Sequence, residues 1–264
     1  MDGPATGSEG DAEGTRAAGT EADPTTGGGA GTAGPVRCVR ELLDATRTGG
    51  SVEGHLATLA AYDDAALSPL REDRATAFAF WLNLYNAGTQ LLLDRRPGLY
   101  ESALRTVRFF RADCVTVAGT PLSLDDIEHG VLRGSKSSVG FGYLPRLAPS
   151  GFERRYRLAS VDPRIHFALN CGAASCPAIR GYVPDRIDDQ LDRATRSYLD
   201  ATVEYDPDAG VVRVPRVFLW YRGDFGGGSG IREFLARHGA VPEGAAPRLR
   251  HRSWDWSREP GKFA

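Results

Sequence analysis

The sequence holds only four cysteines, two lysines and one methionine in 264 residues. Four scattered cysteines do not form a disulfide framework, so they are expected to be reduced thiols. The scarcity of lysine beside 30 arginines follows overall composition and carries no functional signal. An excess of acid or base is also lacking, since the formal net charge is only −2, and this balance excludes nucleic acid as a main partner.

Residues 1–35 contain no Leu, Ile, Val or aromatic residue and carry six acids against one base. Such a segment has no apolar surface to offset the entropy of ordering, so an acidic, Gly/Thr-rich disordered tail is expected there. It also lacks the basic start and apolar run of a secretory signal, which gives a cytoplasmic location as the expectation. Between Ala75 and Leu93 there is no charge for nineteen residues, the length of a membrane span. Asn83, Asn86 and Gln90 fall within it, and amides are costly among lipid tails, so the reading is a helix buried in a soluble domain, with no membrane span.

The remaining chain reads as one α+β domain over 36–264, with a buried central helix and a mainly antiparallel sheet. Apolar spacing predicts helices at Val36–Arg47, within His55–Leu67, at Asp73–Asp94 and at Asp185–Asp200, and a short one from Ser229 to Gly239. Thr106–Val117 reads as extended, and Ser123 as the cap of a helix in "LDDIEHGVLRG". Residues 135–160 read as a long loop, 164–170 as a buried strand, and Thr202–Tyr205 with Val211–Val214 as a hairpin. The run "GDFGGGSG" (Gly223–Gly230) fits no phosphate-binding fingerprint and reads as a loop.

Chemistry concentrates in "IHFALNCGAASCP" (Ile165–Pro177). Pro177 suits the first position of a helix, which would set Cys176 at the N-cap, where free N–H groups and the helix dipole lower a thiol pKa. On an ideal strand His166 and Asn170 share a face and Cys171 points away, so Cys176 is the preferred nucleophile and Cys171 the small buried residue. His166 is the nearest base. Glu128, flanked four residues away by Leu124 and Leu132, faces inward and could orient that base, whereas His129 neighbours Asp125, Asp126 and Arg133 and is expected to face water. A zinc site from His166, Cys171 and Cys176 has an unusual C-x4-C spacing and no second ligand pair nearby, so no metal is expected. Asn83 and Asn86, three apart on the central helix, are expected to hold structure.

Five stretches in order, "FWLNLYNA", "LSLDDIEHGVLR", "DPRIHFALNCGAASCP", "FLWYRGDFG" and "WDW", resemble the domain of unknown function 547 family over about 55–258. The resemblance implies a relation to cysteine-peptidase-like folds and a Cys-His-acid site, with the family's motifs falling on His166, Cys171, Cys176, Glu128 and His129. It does not assign the nucleophile. The expected function is a thiol-dependent hydrolase or acyltransferase. Cys176 attacks an amide or thioester of a small-molecule or peptide substrate, His166 is base and then acid, Glu128 orients it, and Asn170 or backbone N–H groups hold the oxyanion. No small-molecule cofactor is implied. The alternative is a non-catalytic binding or scaffold domain.

Overall fold

Short helices and irregular connections follow one another from Gly34 onward. The computed structural model describes Met1, residues 34–101 and residues 103–264, without the side chains of 103–106. The tail expected over 1–35 therefore lies outside the described residues, save for its two ends. The helices are α1 (Pro35–Thr48), α2 (Glu53–Ala61), α3 (Pro69–Glu72), α4 (Arg74–Arg95), α5 (Ala103–Arg111), α6 (Gly151–Tyr156), α7 (Ile187–Thr202), α8 (Val217–Trp220) and α9 (Gly227–Arg237). The strands are β1 (Asp113–Val117), β2 (Thr120–Ser123), β3 (Glu204–Asp206), β4 (Val211–Val214) and β5 (Arg248–His251).

Helix α4 is the centre of the larger hydrophobic cluster. Asp73 caps it by accepting from the backbone N–H of Thr76 at 2.8 Å, and every residue from Ala77 to Leu93 is buried. A helix apolar on all sides needs neighbours on all sides, and α1, α3, β1 and α7 supply several of them. Among the described residues no helix is long and apolar enough to cross a membrane. A second cluster gathers Phe167, Phe218, Phe225, Ile231 and Phe234 between α9 and the β4 region.

The sheets are small. β1 and β2 form an antiparallel pair, and β3, β4 and β5 form a sheet in which β3 is antiparallel and β5 parallel to β4. The α+β class holds, with two of the three strand pairings antiparallel.

Three expectations are corrected. The strand expected over 164–170 is a 3₁₀ turn at Pro163–Phe167, because Asp162 accepts from the Arg164 N–H at 3.0 Å and Pro163 takes the first helical position. Thr106–Arg111 is helical, as the end of α5, where Arg108 and Arg111 complement the negative end of the dipole; the extended segment starts only at Asp113. The loop expected over 135–160 contains α6, capped by Ser150 Oγ accepting from the Glu153 N–H at 3.0 Å.

The two amides of α4 position the chemistry-bearing loop. Asn86 donates to the Ala168 carbonyl at 3.0 Å and accepts from the Asn170 N–H at 2.9 Å, while Asn83 does the same for Tyr182 at 2.9 Å in each direction. Fully buried amides with both ends satisfied hold backbone, as expected of this pair. Gly172, at φ +85°, lets the loop lie against α4, since a Cβ there would come within 2.8 Å of Leu93.

Candidate functional site

His166, Cys171 and Cys176 line one cavity of about 540 Å³, together with Tyr85, Asp125, Glu128, His129, Tyr221 and an aromatic rim. The 3₁₀ turn delivers His166, and the irregular backbone after it brings the Cys171 and Cys176 sulfurs together as a disulfide. The Cys171 N–H also donates to Cys176 Sγ at 3.1 Å. The loop between the cysteines is knit to the C-terminal segment: Ala174 N–H donates to Ser257 O at 2.9 Å, and Asp255 N–H donates to Ser175 Oγ at 2.8 Å. That segment carries Trp254 and Trp256 to the cavity.

His166 is oriented by Asp224, not by Glu128. Its Nε2 lies 2.9 Å from Asp224 Oδ2, and its ring stacks on Tyr221 at 3.9 Å between centroids. Asp224 also receives Arg133 through two bonds, Nε at 2.7 Å and Nη2 at 3.2 Å, and Lys136 Nζ at 2.9 Å. Burial raises the Asp224 carboxyl, but His166 and Arg133 outweigh it and hold the pKa well below the ordinary value. An ionised carboxylate only accepts, so neutral His166 carries its proton on Nε2 and keeps the lone pair on Nδ1. Burial lowers the His166 pKa despite the pull of Asp224, which leaves the ring neutral at pH 7.

Glu128 and His129 come from a π-helix at Asp126–Leu132, which Asp125 caps. Its i→i+5 bonds, such as Arg133 N–H to Glu128 O at 2.8 Å, widen the turn and bring Glu128, His129 and Arg133 all inside. The expectation that His129 faces water is thus corrected: the 3.6-residue period does not apply. Glu128 is buried as expected, yet it accepts from Tyr221 Oη at 2.6 Å and Tyr85 Oη at 3.1 Å. Burial pushes its pKa up, and His129, His166 and the Tyr221 hydroxyl more than reverse this. Both tyrosine hydroxyls, buried beside a carboxylate, are raised well above their ordinary pKa and stay protonated.

Arg133 Nη1 donates to His129 Nδ1 at 2.7 Å, so neutral His129 carries its proton on Nε2, 3.6 Å from Asp125 Oδ1. Burial lowers the His129 pKa to about 4 and raises that of Asp125, with help from Glu128, to about 6. The two shifts act on stability with opposite signs. Neutral His129 destabilises the fold as pH falls from 6.5 towards 4, because the unfolded chain then binds the extra proton. Asp125, raised above its unfolded value of 3.8, stabilises the fold over nearly the same fall, from 6 towards 3.8. In the native protein they largely cancel. Asp125→Asn is expected to expose the His129 dependence, with stability falling by about 3 kcal/mol more than in the native chain between pH 7 and 4. Urea titrations at the two pH values measure it; equal pH dependence in both proteins would contradict the opposed pair.

Two sequence-derived roles change. No helix starts at Pro177, so the cap that would have lowered the Cys176 pKa is missing, and the residue is only 3% exposed. Of the four thiols expected to be reduced, Cys38 and Cys114 are free, whereas Cys171 and Cys176 are paired, a bond that also removes both sulfurs from a zinc set with His166. Asn170 is fully buried and clamps the loop, donating to Pro177 O at 2.7 Å and accepting from the Gly172 N–H at 2.8 Å, so it is no oxyanion donor. Asp224, Arg133 and Tyr221 were missed; the one local signal was a lone acid in the Gly-rich "GDFGGGSG", 58 residues after His166.

Neither the curated proteins nor the solved structures contain a match to the chain. The model of the family described as "Protein of unknown function, DUF547" matches residues 69–199, a span that holds the central helix, the π-helix, His166 and both paired cysteines. Through this span the chain belongs to the DUF547 family.

Proposed function

We propose that the protein is a thiol-dependent hydrolase or acyltransferase, active when the Cys171–Cys176 pair is reduced. One observation carries this reading: a neutral histidine fixed through Nε2 by a buried carboxylate lines the same cavity as a cysteine pair. A dithiol reductant, itself oxidised to its disulfide, would open the bond and leave two thiols. Cys171 is half-buried and Cys176 buried, so Cys171 is the sulfur a substrate reaches, with Cys176 as its resolving partner.

In this reading His166 Nδ1 accepts the Cys171 proton as sulfur bonds to the acyl carbon of a small-molecule or peptide substrate. The proton then passes to the departing amine or thiol. Water, deprotonated by the same nitrogen, attacks the acyl sulfur ester, releasing carboxylate and restoring the thiol. Asp224 holds the ring and Glu128 holds Tyr221 beneath it. A cysteine-peptidase-like ancestry belongs to the same proposal.

The paired sulfurs favour a second reading, a non-catalytic binding domain, and alkylation separates the two. Iodoacetamide mapped by mass spectrometry is expected to spare Cys171 and Cys176 before dithiothreitol treatment. After it, Cys171 should be modified faster than free glutathione at pH 7, and His166→Gln should abolish the excess. Reduced Cys171 and Cys176 reacting no faster than glutathione would favour the binding domain.

A further inference from the structure

The rim of the cavity is apolar and its exposed members are large. Val107, Val139, Phe141 and Trp256 are 50%, 67%, 55% and 45% exposed, and all line the cavity whose inner wall holds His166. Trp220 and Trp254 complete the rim, with Trp256 5.6 Å from Trp220 and 6.0 Å from Trp254 between ring centroids. These are the distances of interacting rings, and the 45% exposure of Trp256 leaves part of its surface open to a further aromatic group.

Phe141 is held out at a conformational cost. Its φ is +55°, a region bulky residues avoid, between Gly140 at +84° and Gly142 at +81°. The turn is fastened at two points: the Gly223 N–H donates to Phe141 O at 2.8 Å, and Lys136 Nζ donates to Gly142 O at 2.9 Å. Gly223 permits the approach, since a Cβ there would lie 2.6 Å from the Gly142 carbonyl carbon. Lys136 also bonds Asp224, so one carboxylate fixes both the base and the turn that presents Phe141.

Charge restricts the occupant further. The cavity is lined by the carboxyls of Asp125 and Glu128, and among the described residues the one guanidinium in its lining, that of Arg111, is already engaged 3.6 Å from Asp125. An anionic group would meet repulsion.

From the Phe141 turn, the tryptophan rim and the lining acids, we infer that the site selects uncharged acyl groups carrying an aromatic ring, with Phe141 a specificity-determining residue. The inference rests on the thiol-hydrolase reading of the same cavity. The full chain, reduced with dithiothreitol, is tested on phenylacetyl, octanoyl, acetyl and succinyl thioesters of N-acetylcysteamine, with turnover followed by loss of thioester absorbance. Binding of phenylacetamide and of succinamate is followed separately through tryptophan fluorescence, which needs no turnover.

Phenylacetyl is expected to exceed acetyl in kcat/KM by roughly tenfold or more and to exceed octanoyl, with succinyl the poorest. Phe141→Ala, or the exposed Trp256→Ala should the first fail to fold, is expected to bring the phenylacetyl-to-acetyl ratio towards one. Phenylacetamide binding in preference to succinamate without turnover of any thioester would support the aromatic selection and overturn the hydrolase reading. Turnover with no preference for phenylacetyl, or with octanoyl preferred, would overturn the aromatic selection and leave the hydrolase. Neither binding nor turnover would overturn it as well.

Discussion

Asp224→Asn is expected to destabilise the fold by about 3–5 kcal/mol, the largest effect of any single conservative substitution at the site. The side chain is wholly buried and answers Arg133, Lys136 and His166 at once, with Arg133 only 1% exposed. Asparagine keeps the shape but removes the charge. It also turns an N–H₂ group towards neighbours that are themselves donors, so the Arg133 guanidinium stays buried without its counter-charge. The loss is read from urea unfolding at pH 7, as a fall in midpoint at unchanged slope. A change below about 1 kcal/mol would mean that Glu128 or solvent compensates Arg133, and Asp224 would lose its place as the keystone of the network.

His166→Gln is expected to lower acyl-transfer turnover of the reduced protein by about 10³-fold. Glutamine can still meet Asp224, but it has no lone pair basic enough to take the thiol proton. The native rate is expected to rise with pH through a value below the ordinary histidine 6.5, because burial depresses the His166 pKa, and then to level off while the ring stays neutral. An inflection above 6.5 would contradict a neutral, buried base. The unfolding midpoint of the variant separates lost chemistry from lost structure.

Much of this was legible in residues that act locally. The uncharged run from Ala75 to Leu93 announced α4, and the helical pattern was read from Asp73, which is its N-cap; the buried Asn83 and Asn86 have the structural role their spacing suggested. The inward face of Glu128 was legible too, since Leu124 and Leu132 flank it on any helical turn. His129 was not, because a π-helix cannot be told from an α-helix by the period of seven residues. His166 and the cysteines stood out by type, yet their geometry depended on Asp162–Pro163 starting a 3₁₀ turn, a signal present in the sequence and passed over. Asp224 offered only a lone acid in a Gly-rich run, which reveals neither burial nor a partner. Its partnership with His166 is made by tertiary packing between a 3₁₀ turn and a loop 58 residues later, and a glycine-rich turn does not by itself announce a buried carboxylate.

The most direct test of the thiol site is to trap its acyl intermediate. The reduced full chain is mixed with the phenylacetyl thioester, quenched in acid, and the peptides carrying Cys171 and Cys176 are weighed by mass spectrometry. One phenylacetyl group on Cys171, absent from the oxidised protein and from His166→Gln, is the expected result. A folded, fully reduced protein that carries no acyl group on either cysteine would contradict the account and leave the cavity as a binding site.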